Sequence, residues 1–326
     1  MVDILYISDI YNLKNIYTPE IYLKIHVVIN SLEGNMDYEN AIEIKNLTKK
    51  YDGFTLDGIS FDVPKGSIMG FIGQNGAGKT TTINSLLNII NWDSGEIRLL
   101  GKEMPAHEFE VKEKISAVFD ILPFNDDLSA KQLSKIMKGI WKEWDDETFN
   151  SYLERFQLPY KKKFGQFSKG MKMKLQIAAG LSHNAKLLIM DEATTGLDPV
   201  VRNEILDIFL EYLQDEDKSI LMSSHITSDL EKIADRVTFI DKGKILITGI
   251  KDEILESHGV VKVSKKDFKD FDREDYISAR VTDFGVDVMV NDRFKAEKKF
   301  SGAVIDRTNL EEIMLFYVNQ SKGQWN

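Results

Sequence analysis

The chain has 326 residues with 43% apolar content, enough to fill one large α/β domain with an appendage or two smaller domains. Its 42 basic and 52 acidic residues give a formal charge of −10, so we expect no nucleic-acid partner. The sequence has no cysteine, which excludes disulfides and thiolate metal sites and is typical of a reducing cytoplasm. No apolar run reaches the length of a bilayer-spanning helix, so we expect any membrane role to need a partner chain.

Residues 1–35 show neither a clear hydrophobic period nor a signal-peptide layout, and we expect them to be a doubtful N-terminal extension. The segment Leu32-Glu33-Gly34 is what a purine-rich ribosome-binding site would encode if it were translated. We therefore expect the true start at Met36, downstream of the start that this sequence uses. Between residues 41 and 61 apolar and polar side chains alternate, which predicts short antiparallel strands.

Residues 67–90 carry the strongest functional signal. Gly73, Gly78, Lys79 and Thr80 have G-x-x-x-x-G-K-T spacing, between an apolar run that predicts a strand and a helical period that extends to residue 90. Glycines let backbone N–H groups curl around a polyphosphate, and the helix beginning near Lys79 directs its positive dipole end at the same anion. Lys79 is then placed to reach the β and γ phosphates, and Thr80 to ligate Mg²⁺. The predicted nucleotide-binding residues of this loop are Gly73, Gln74, Asn75, Gly76, Ala77, Gly78, Lys79, Thr80 and Thr81.

Two later apolar strands end in polar side chains. The strand at 187–190 delivers Asp191 and Glu192, and the strand at 219–224 ends at His225. Because open α/β sheets bind ligands at the carboxyl ends of their strands, we expect these side chains beside the phosphate loop. Phosphoryl transfer is mostly positioning and charge neutralisation, so Asp191 would hold Mg²⁺ through water, Glu192 would orient the attacking water and His225 would contact the γ-phosphate.

A second helix N-terminus is suited to an anion. Ser168 precedes a helix-forming run as a candidate N-cap, and Gly170 allows close approach of the backbone. Tyr51 lies in a turn upstream of the phosphate loop, where its ring could stack on a base. Around these motifs, residues from about 106 to 180 are predicted to be mostly helical, with a strand at 115–119.

The C-terminal residues 257–326 predict a small α+β appendage with three short strands and a final helix. That helix is predicted to start at Thr308, with Glu311 as its capping-box partner.

In the helical block at 106–180, four apolar residues at helical spacing predict one buried face: Leu133, Ile136, Met137 and Ile140.

The order of these motifs is more specific than any one of them. The chain resembles the ATP-binding subunits of ABC transporters over residues 41–257, in the order Tyr51, GQNGAGKT (73–80), FSKGM (167–171), LLIMDE (187–192), GLDP (196–199) and His225. The resemblance implies an α/β fold of the P-loop NTPase class: an ABC-type ATPase with an antiparallel β-subdomain, a RecA-like core and a helical subdomain. It places the ATPase domain at 36–256, its mostly helical part at about 106–180, and the small C-terminal α+β appendage at 257–326.

The resemblance also implies roles for single residues. Tyr51 would stack on adenine, Glu192 would be the catalytic glutamate and His225 the switch histidine. Ser168 and Gly170 would belong to the signature loop, which in this family contacts the nucleotide held by the opposite subunit.

The same resemblance implies the cofactors and the assembly. ATP and Mg²⁺ would be bound between two ATPase subunits, identical or different, and Asp198 would communicate across their interface. Each chain would therefore hold only half of each site.

The chain departs from the family pattern at two places. The usual signature, Leu-Ser-Gly-Gly-Gln, has Phe167, Lys169 and Met171 at its first, third and fifth positions, which keeps an anion site and changes its local charge. The glutamine that normally faces the metal and the permease falls at Asp120, which is a candidate metal ligand through water. Both departures resemble a branch of bacterial exporters in which ATPase and permease are separate chains.

The expected function is ATP binding and hydrolysis that powers transport of a substrate through a separate polytopic permease, by a cytoplasmic subunit peripheral to the inner face of the cell membrane. One alternative is a soluble ABC-type ATPase acting on ribosomes or DNA; the single phosphate loop and the negative charge speak against it. Another is a non-hydrolysing nucleotide-binding regulator, against which Glu192 and His225 speak.

Overall fold

The computed structural model describes residues 38–121, 124–300 and 302–321. The predicted N-terminal extension, residues 1–35, and the predicted start at Met36 lie outside these described residues. From Glu39 onward the described residues belong to one compact unit, in which the predicted C-terminal appendage is included.

A four-stranded antiparallel sheet comes first. Its strands are β1 (Asn40–Tyr51), β2 (Phe54–Pro64), β4 (Ser94–Leu99) and β5 (Lys102–Glu103), in the order β2-β1-β4-β5. The alternation of apolar and polar residues explains why these segments form an antiparallel sheet. Every second side chain of such a strand faces the core, as Ile42 does. The predicted antiparallel strands are confirmed.

A six-stranded sheet forms the centre of the molecule, in the order β10-β9-β3-β8-β7-β6. Five strands are parallel, and β10 runs antiparallel to β9. Every residue of β3, β7 and β8 is buried, as expected for parallel strands covered by helices on both faces. The strands are β3 (Ile68–Ile72), β6 (Ile115–Phe119), β7 (Leu187–Asp191), β8 (Ser219–Ser224), β9 (Arg236–Asp241) and β10 (Lys244–Ile250).

Seven helices flank these two sheets in the described chain: α1 (Lys79–Leu86), α2 (Glu108–Lys112), α3 (Ala130–Ile140), α4 (Asp146–Arg155), α5 (Lys169–Leu181), α6 (Pro199–Tyr212) and α7 (Thr227–Ile233). The helix predicted to reach residue 90 ends at Leu86, and the predicted buried face of α3 is narrower than expected. Leu133 and Met137 are buried, whereas Ile136 and Ile140 are 43% and 56% exposed. The α/β fold of an ABC-type ATPase, with an antiparallel sheet, a parallel core and a helical part, is confirmed.

The C-terminal residues form a third sheet, antiparallel, in the order β12-β13-β11-β14. Its core consists mainly of valines from alternate positions of the central strands. Its elements are α8 (Lys251–Ser257), β11 (Gly259–Val263), β12 (Ser278–Val281), β13 (Val286–Val290), α9 (Arg293–Lys299), β14 (Val304–Asp306) and α10 (Leu310–Ser321).

The start of α10 differs from the prediction. The Asn309 side chain accepts a hydrogen bond from the Glu312 amide at 2.8 Å, so Asn309 is the N-cap in place of Thr308. The Thr308 hydroxyl instead donates to the Glu312 carboxylate at 3.0 Å. The predicted capping box between Thr308 and Glu311 is therefore wrong.

Buried and partly buried polar contacts fasten α10 to the rest of the chain. The Leu310 amide donates to the Glu231 carboxylate on α7 at 2.7 Å, and the Ser278 hydroxyl donates to the Phe316 carbonyl at 2.8 Å. The ring of buried His258 spans the Ile254 carbonyl, 2.8 Å from Nδ1, and the Tyr317 hydroxyl, 3.0 Å from Nε2. A neutral ring that donates from Nδ1 and accepts at Nε2 satisfies both contacts.

No helix within the described residues combines the length and the apolarity needed to cross a bilayer.

Two buried histidines predict a pH-dependent stability. Burial lowers the pKa of His258 and of His183 below their ordinary value of 6.5, so the folded state binds fewer protons than the unfolded chain. The stability that these two histidines contribute should therefore be fully present above pH 6.5. The free energy of unfolding should fall as the pH drops below that value. Each histidine contributes a slope of up to about 1.4 kcal/mol per pH unit.

Urea unfolding at pH 7.5, 6.5 and 5.5 measures this slope. Carboxylates of the unfolded chain titrate near pH 4, so they add little above about pH 5. His258→Asn and His183→Asn should each flatten the slope, and a slope unchanged in both variants would contradict the prediction.

Candidate functional site

The loop between β3 and α1 is shaped by glycines. A Cβ on Gly73 would lie 2.5 Å from the Ile240 carbonyl oxygen, so only glycine fits there. Gly78 caps α1 with a φ of 119°, a conformation that other residues rarely adopt. The loop therefore brings the N-terminus of α1 to the carboxyl end of β3, where its first N–H groups are suited to an anion.

Lys79 lies inside this loop and is buried. Its ammonium donates to the Gly73 carbonyl at 2.6 Å and to the Gln74 carbonyl at 3.3 Å. The same nitrogen lies 3.0 Å from Glu192 Oε1. A buried ammonium is costly unless it is paired, and these three oxygens stabilise it.

Asp191, at the end of β7, lies between two hydroxyls. Thr80, at the start of α1, donates to Oδ2 at 2.8 Å, and Ser223, from β8, donates to Oδ1 at 2.6 Å. The carboxylate is almost fully buried. Its position thus depends on the pairing of β7 with β8.

Glu192 follows directly and has a φ of 55°, which is uncommon for a residue other than glycine. Its amide donates to the Ser223 hydroxyl at 3.1 Å. Its Oε2 accepts from the Thr195 hydroxyl at 2.8 Å and from His225 Nδ1 at 2.6 Å. The positive φ of Glu192 is a strained backbone conformation. Strain of this kind persists only where the surrounding structure fixes it, and it is concentrated at functional sites.

Opposing effects act on the pKa of Glu192. Burial raises the pKa. The Thr195 hydroxyl, the Lys79 ammonium and the His225 ring lower it by more than burial raises it, so the net pKa lies below the ordinary value. Glu192 is therefore an anion at neutral pH and can accept a hydrogen bond or a proton.

Tyr51 stands at the end of β1, opposite Phe54 of β2. The Phe54 ring lies 3.1 Å from the position of a Cβ on Gly78, so this hairpin packs against the phosphate loop. The Tyr51 ring is half-exposed, with the Lys49 ammonium 5.4 Å from its centroid. An exposed ring on this side of the loop is available for stacking.

The residues around Thr80 and Asp191 fit Mg²⁺. A hydroxyl and a carboxylate lie within hydrogen-bond distance of each other, and both are hard oxygen donors. Within the described residues there is no group of three or more metal-ligating His, Asp or Glu side chains. Mg²⁺ matches such a site, because it is usually bound by one or two protein oxygens together with phosphates and water.

A second cluster gathers around the N-terminus of α5. Ser168 caps this helix by accepting from the Met171 amide at 3.3 Å, as predicted. A Cβ on Gly170 would meet a methyl group of Val201, from α6, at 3.6 Å. Asp198 caps α6 by accepting from the amides of Val200 and Val201 at 3.1 Å.

Asp120 belongs to this second cluster. Its carboxylate lies 2.5 Å from the Lys169 ammonium, whereas the Thr80 hydroxyl donates to Asp191. Among the predicted site residues, Lys79, Glu192 and His225 are in contact with one another in series. Thr80 contacts Asp191. The remaining four make their contacts around α5 and α6: Ser168, Gly170, Asp198 and Asp120. The metal-ligand role of Asp120 stays a prediction.

Four residues at the site were missed by sequence reasoning: Phe54, Thr195, Ser223 and Gly243. The Gly243 amide donates to the Ala77 carbonyl at 2.8 Å and its carbonyl accepts from Asp57 at 2.9 Å, which ties the phosphate loop to β2. Ser223 had a usable signal, because it lies one residue from the end of a buried strand. The contacts of Phe54 and Gly243 depend on the packing of distant segments, whereas the Thr195 contact with Glu192 is local.

Comparisons with known proteins agree with this geometry. The family model described as ABC transporter matches residues 56–195. The chain is 33% identical to the ABC transporter ATP-binding protein YtrB of Bacillus subtilis, over 67% of this chain and 74% of that protein. It is 36% identical to the bacitracin transport ATP-binding protein BcrA of Bacillus licheniformis (63% of this chain and 68% of that protein). It is also 36% identical to the lantibiotic transport ATP-binding protein SrtF of Streptococcus pyogenes, over 63% of this chain and 89% of that protein.

Solved structures show the same fold. An ATP-binding subunit of an ABC transporter aligns with a TM-score of 0.60 at 23% identity, over 66% of this chain and 92% of that one. CbiO1 of Clostridium perfringens, part of the ABC transporter complex cbiONQ, aligns with a TM-score of 0.57 at 25% identity, over 67% and 92%. With the phosphate loop, the paired carboxylates and the histidine in place, this chain belongs to the ABC transporter family, as one of its ATP-binding and ATP-hydrolysing subunits.

Proposed function

We propose that the chain binds ATP with Mg²⁺ at the phosphate loop, hydrolyses it together with a second ATPase subunit, and powers export through a separate membrane permease. The observation that carries this proposal is the continuous contact from Lys79 through Glu192 to His225, beside the Thr80–Asp191 pair. In this proposal Lys79 is the cation, Glu192 the base, and Thr80 with Asp191 the metal-binding pair, all at one edge of the parallel sheet.

Lys79 would bind the β and γ phosphates. A triphosphate carries more negative charge than one carboxylate, so it competes with Glu192 for the same ammonium. The N–H groups at the start of α1 add donors, and the Tyr51 ring stacks on the base. Residues 73–81 would thus fix the polyphosphate while Glu192 stays bound to His225.

Glu192 would act as the base for the attacking water. Its Oε2 is held by Thr195 and His225, which orients the carboxylate, and its lowered pKa keeps it ionised. His225 would contact the γ-phosphate. Mg²⁺ bound by Thr80 and Asp191 would neutralise the charge of the phosphates.

The second ATPase subunit is proposed from the position of the signature loop. Ser168, Gly170 and Asp198 make their contacts around α5 and α6, apart from the cluster that contains Lys79. Ser168 and Gly170 leave a helix N-terminus available to a nucleotide held by a second subunit. That subunit would be a second copy or a related chain.

The permease would dock on an apolar groove of about 520 Å³ between the core and the helical part. Ile89, Phe109 and Ile140 line it and are 58%, 89% and 56% exposed. Exposed apolar residues that line one groove mark an interaction site, and an apolar helical segment of a membrane protein fits it. Phe119 also lines the groove and immediately precedes Asp120, so docking there would reach the loop after β6.

This assembly would place the chain on the cytoplasmic face of the cell membrane, where ATP is available. Export is supported by relatives whose names include bacitracin transport, lantibiotic transport and, for a Streptomyces peucetius protein, daunorubicin/doxorubicin resistance.

Glu192→Gln should keep ATP binding and lose turnover. The amide cannot take a proton from water, and loss of a general base costs about 10²- to 10⁴-fold in rate. Phosphate release measures turnover, and retention of labelled ATP measures binding. Glu211→Gln, which removes a surface carboxylate paired with Arg155, is the matched control. Unchanged turnover in Glu192→Gln would refute the proposed role.

Lys79→Met should lower the affinity for ATP by about 10- to 100-fold, because the buried ammonium supplies charged hydrogen bonds. Equilibrium dialysis measures the dissociation constant, and thermal unfolding checks that the variant is folded. Lys163→Met, at a lysine exposed beside Asp127, should bind ATP as the unaltered chain does. An equal dissociation constant for Lys79→Met would contradict the proposal.

Phe109→Asp and Ile140→Asp should abolish co-purification of a multi-span membrane protein in mild detergent, because each puts a charge in the groove. ATP affinity should stay the same. Phe284→Asp is the control, since Phe284 is fully exposed but lies in the C-terminal sheet region. Recovery of the same membrane protein with both groove variants would rule out this docking surface.

A further inference from the structure

A buried carboxylate lies four residues after His225. Asp229, in the first turn of α7, is 1% exposed, and its Oδ2 atom has no hydrogen-bond partner within the described chain. The Arg202 guanidinium, from α6, lies beside it, with Nε 3.7 Å from Oδ2. An ionised carboxylate removed from water is costly without a paired charge, so this arginine stabilises Asp229. Water screens such a buried pair little.

Arg202 also contacts the GLDP segment. Its Nη2 atom donates to the Leu197 carbonyl at 3.1 Å. Its Nε atom is buried and makes no hydrogen bond to any described residue, because 3.7 Å is too long for one. One planar guanidinium therefore spans two segments: the GLDP segment, which leads into α6, and α7, which follows His225.

The backbone carries the position of Asp229 to His225. The Asp229 amide donates to the Ile226 carbonyl at 3.4 Å, and the Ile226 amide donates to the Ser224 hydroxyl at 2.9 Å. These contacts close a turn around His225, whose Nδ1 lies 2.6 Å from Glu192 Oε2. A shift of α7 would therefore move the imidazole relative to the Glu192 carboxylate.

We propose that Arg202 and Asp229 are positioning residues for ATP hydrolysis, which hold the start of α7 against the GLDP segment and so fix His225 beside Glu192. The inference rests on the roles proposed above for His225 and Glu192. Neither member of the pair touches the nucleotide, and both act through the imidazole.

The same two helices offer a matched control. The Lys232 ammonium, on α7, donates to the Asn203 side chain, on α6, at 3.0 Å. This contact is exposed and lies further along α7 from His225. Lys232→Gln should therefore leave ATP turnover unchanged.

Turnover in single variants tests the proposal. Arg202→Gln and Asp229→Asn should each lower kcat by about 10- to 100-fold, because a small misplacement of a catalytic group costs rate in that range. KM should change little, since the phosphate loop is untouched. Thermal unfolding and equilibrium dialysis with labelled ATP check that each variant is folded. If both variants lose ATP affinity together with turnover, the pair only supports the fold and the inference is wrong.

Double variants test the route. Arg202→Gln combined with Asp229→Asn should be no slower than the slower single variant, because the two side chains act as one pair. In the His225→Ala background, Asp229→Asn should have no further effect on kcat, since it acts through the imidazole. An independent loss in that background, or a loss in Lys232→Gln equal to that of the pair, would overturn the inference.

The failure of the underlying function is distinguishable. If His225→Ala leaves turnover unchanged, the proposed role of His225 and this inference fall together. If His225→Ala lowers turnover while Arg202→Gln and Asp229→Asn behave like Lys232→Gln, this inference alone is wrong.

Discussion

The buried charge of Lys79 is the constraint on which the rest of the site depends. An ammonium removed from water is stable only with close oxygen partners, and the chain supplies two loop carbonyls and the Glu192 carboxylate. Glu192 can reach it only because β7 lies one strand from β3, with β8 between them. Ser223 of β8 then binds both the Asp191 carboxylate and the Glu192 amide. The Glu192 carboxylate can therefore balance the charge of Lys79 only with this order of strands.

Two helix N-termini of the structure carry a lysine that is paired with a carboxylate. The start of α1 has a buried lysine behind it, together with the carboxylates at the end of β7. The start of α5 has an exposed lysine paired with Asp120. The buried pair is expensive to separate, whereas the exposed pair is screened by water.

Helix α7 links the site to the C-terminal sheet. It begins two residues after His225, and its Glu231 carboxylate accepts from the Leu310 amide at the start of α10. The contact of His258 with Tyr317 fastens the same helix α10 about two turns further along. The C-terminal sheet and α10 thus brace the segment that follows the histidine, and none of the side chains described there contacts Lys79.

The sequence by itself determined the phosphate loop, the strands that deliver Asp191, Glu192 and His225, and the cap at Ser168. These features are local: glycine spacing, apolar runs and one capping side chain fix them without distant contacts. Only the tertiary structure decided that Asp120 pairs with Lys169, that Ser223 holds the Asp191 carboxylate, and that Ile136 and Ile140 are exposed. Each of these depends on which distant segments become neighbours, and hydrophobic period carries no information about that. The same reason explains the cap of α10, where Asn309 and Thr308 are both good caps by sequence and the packing against Glu231 sets where the helix begins.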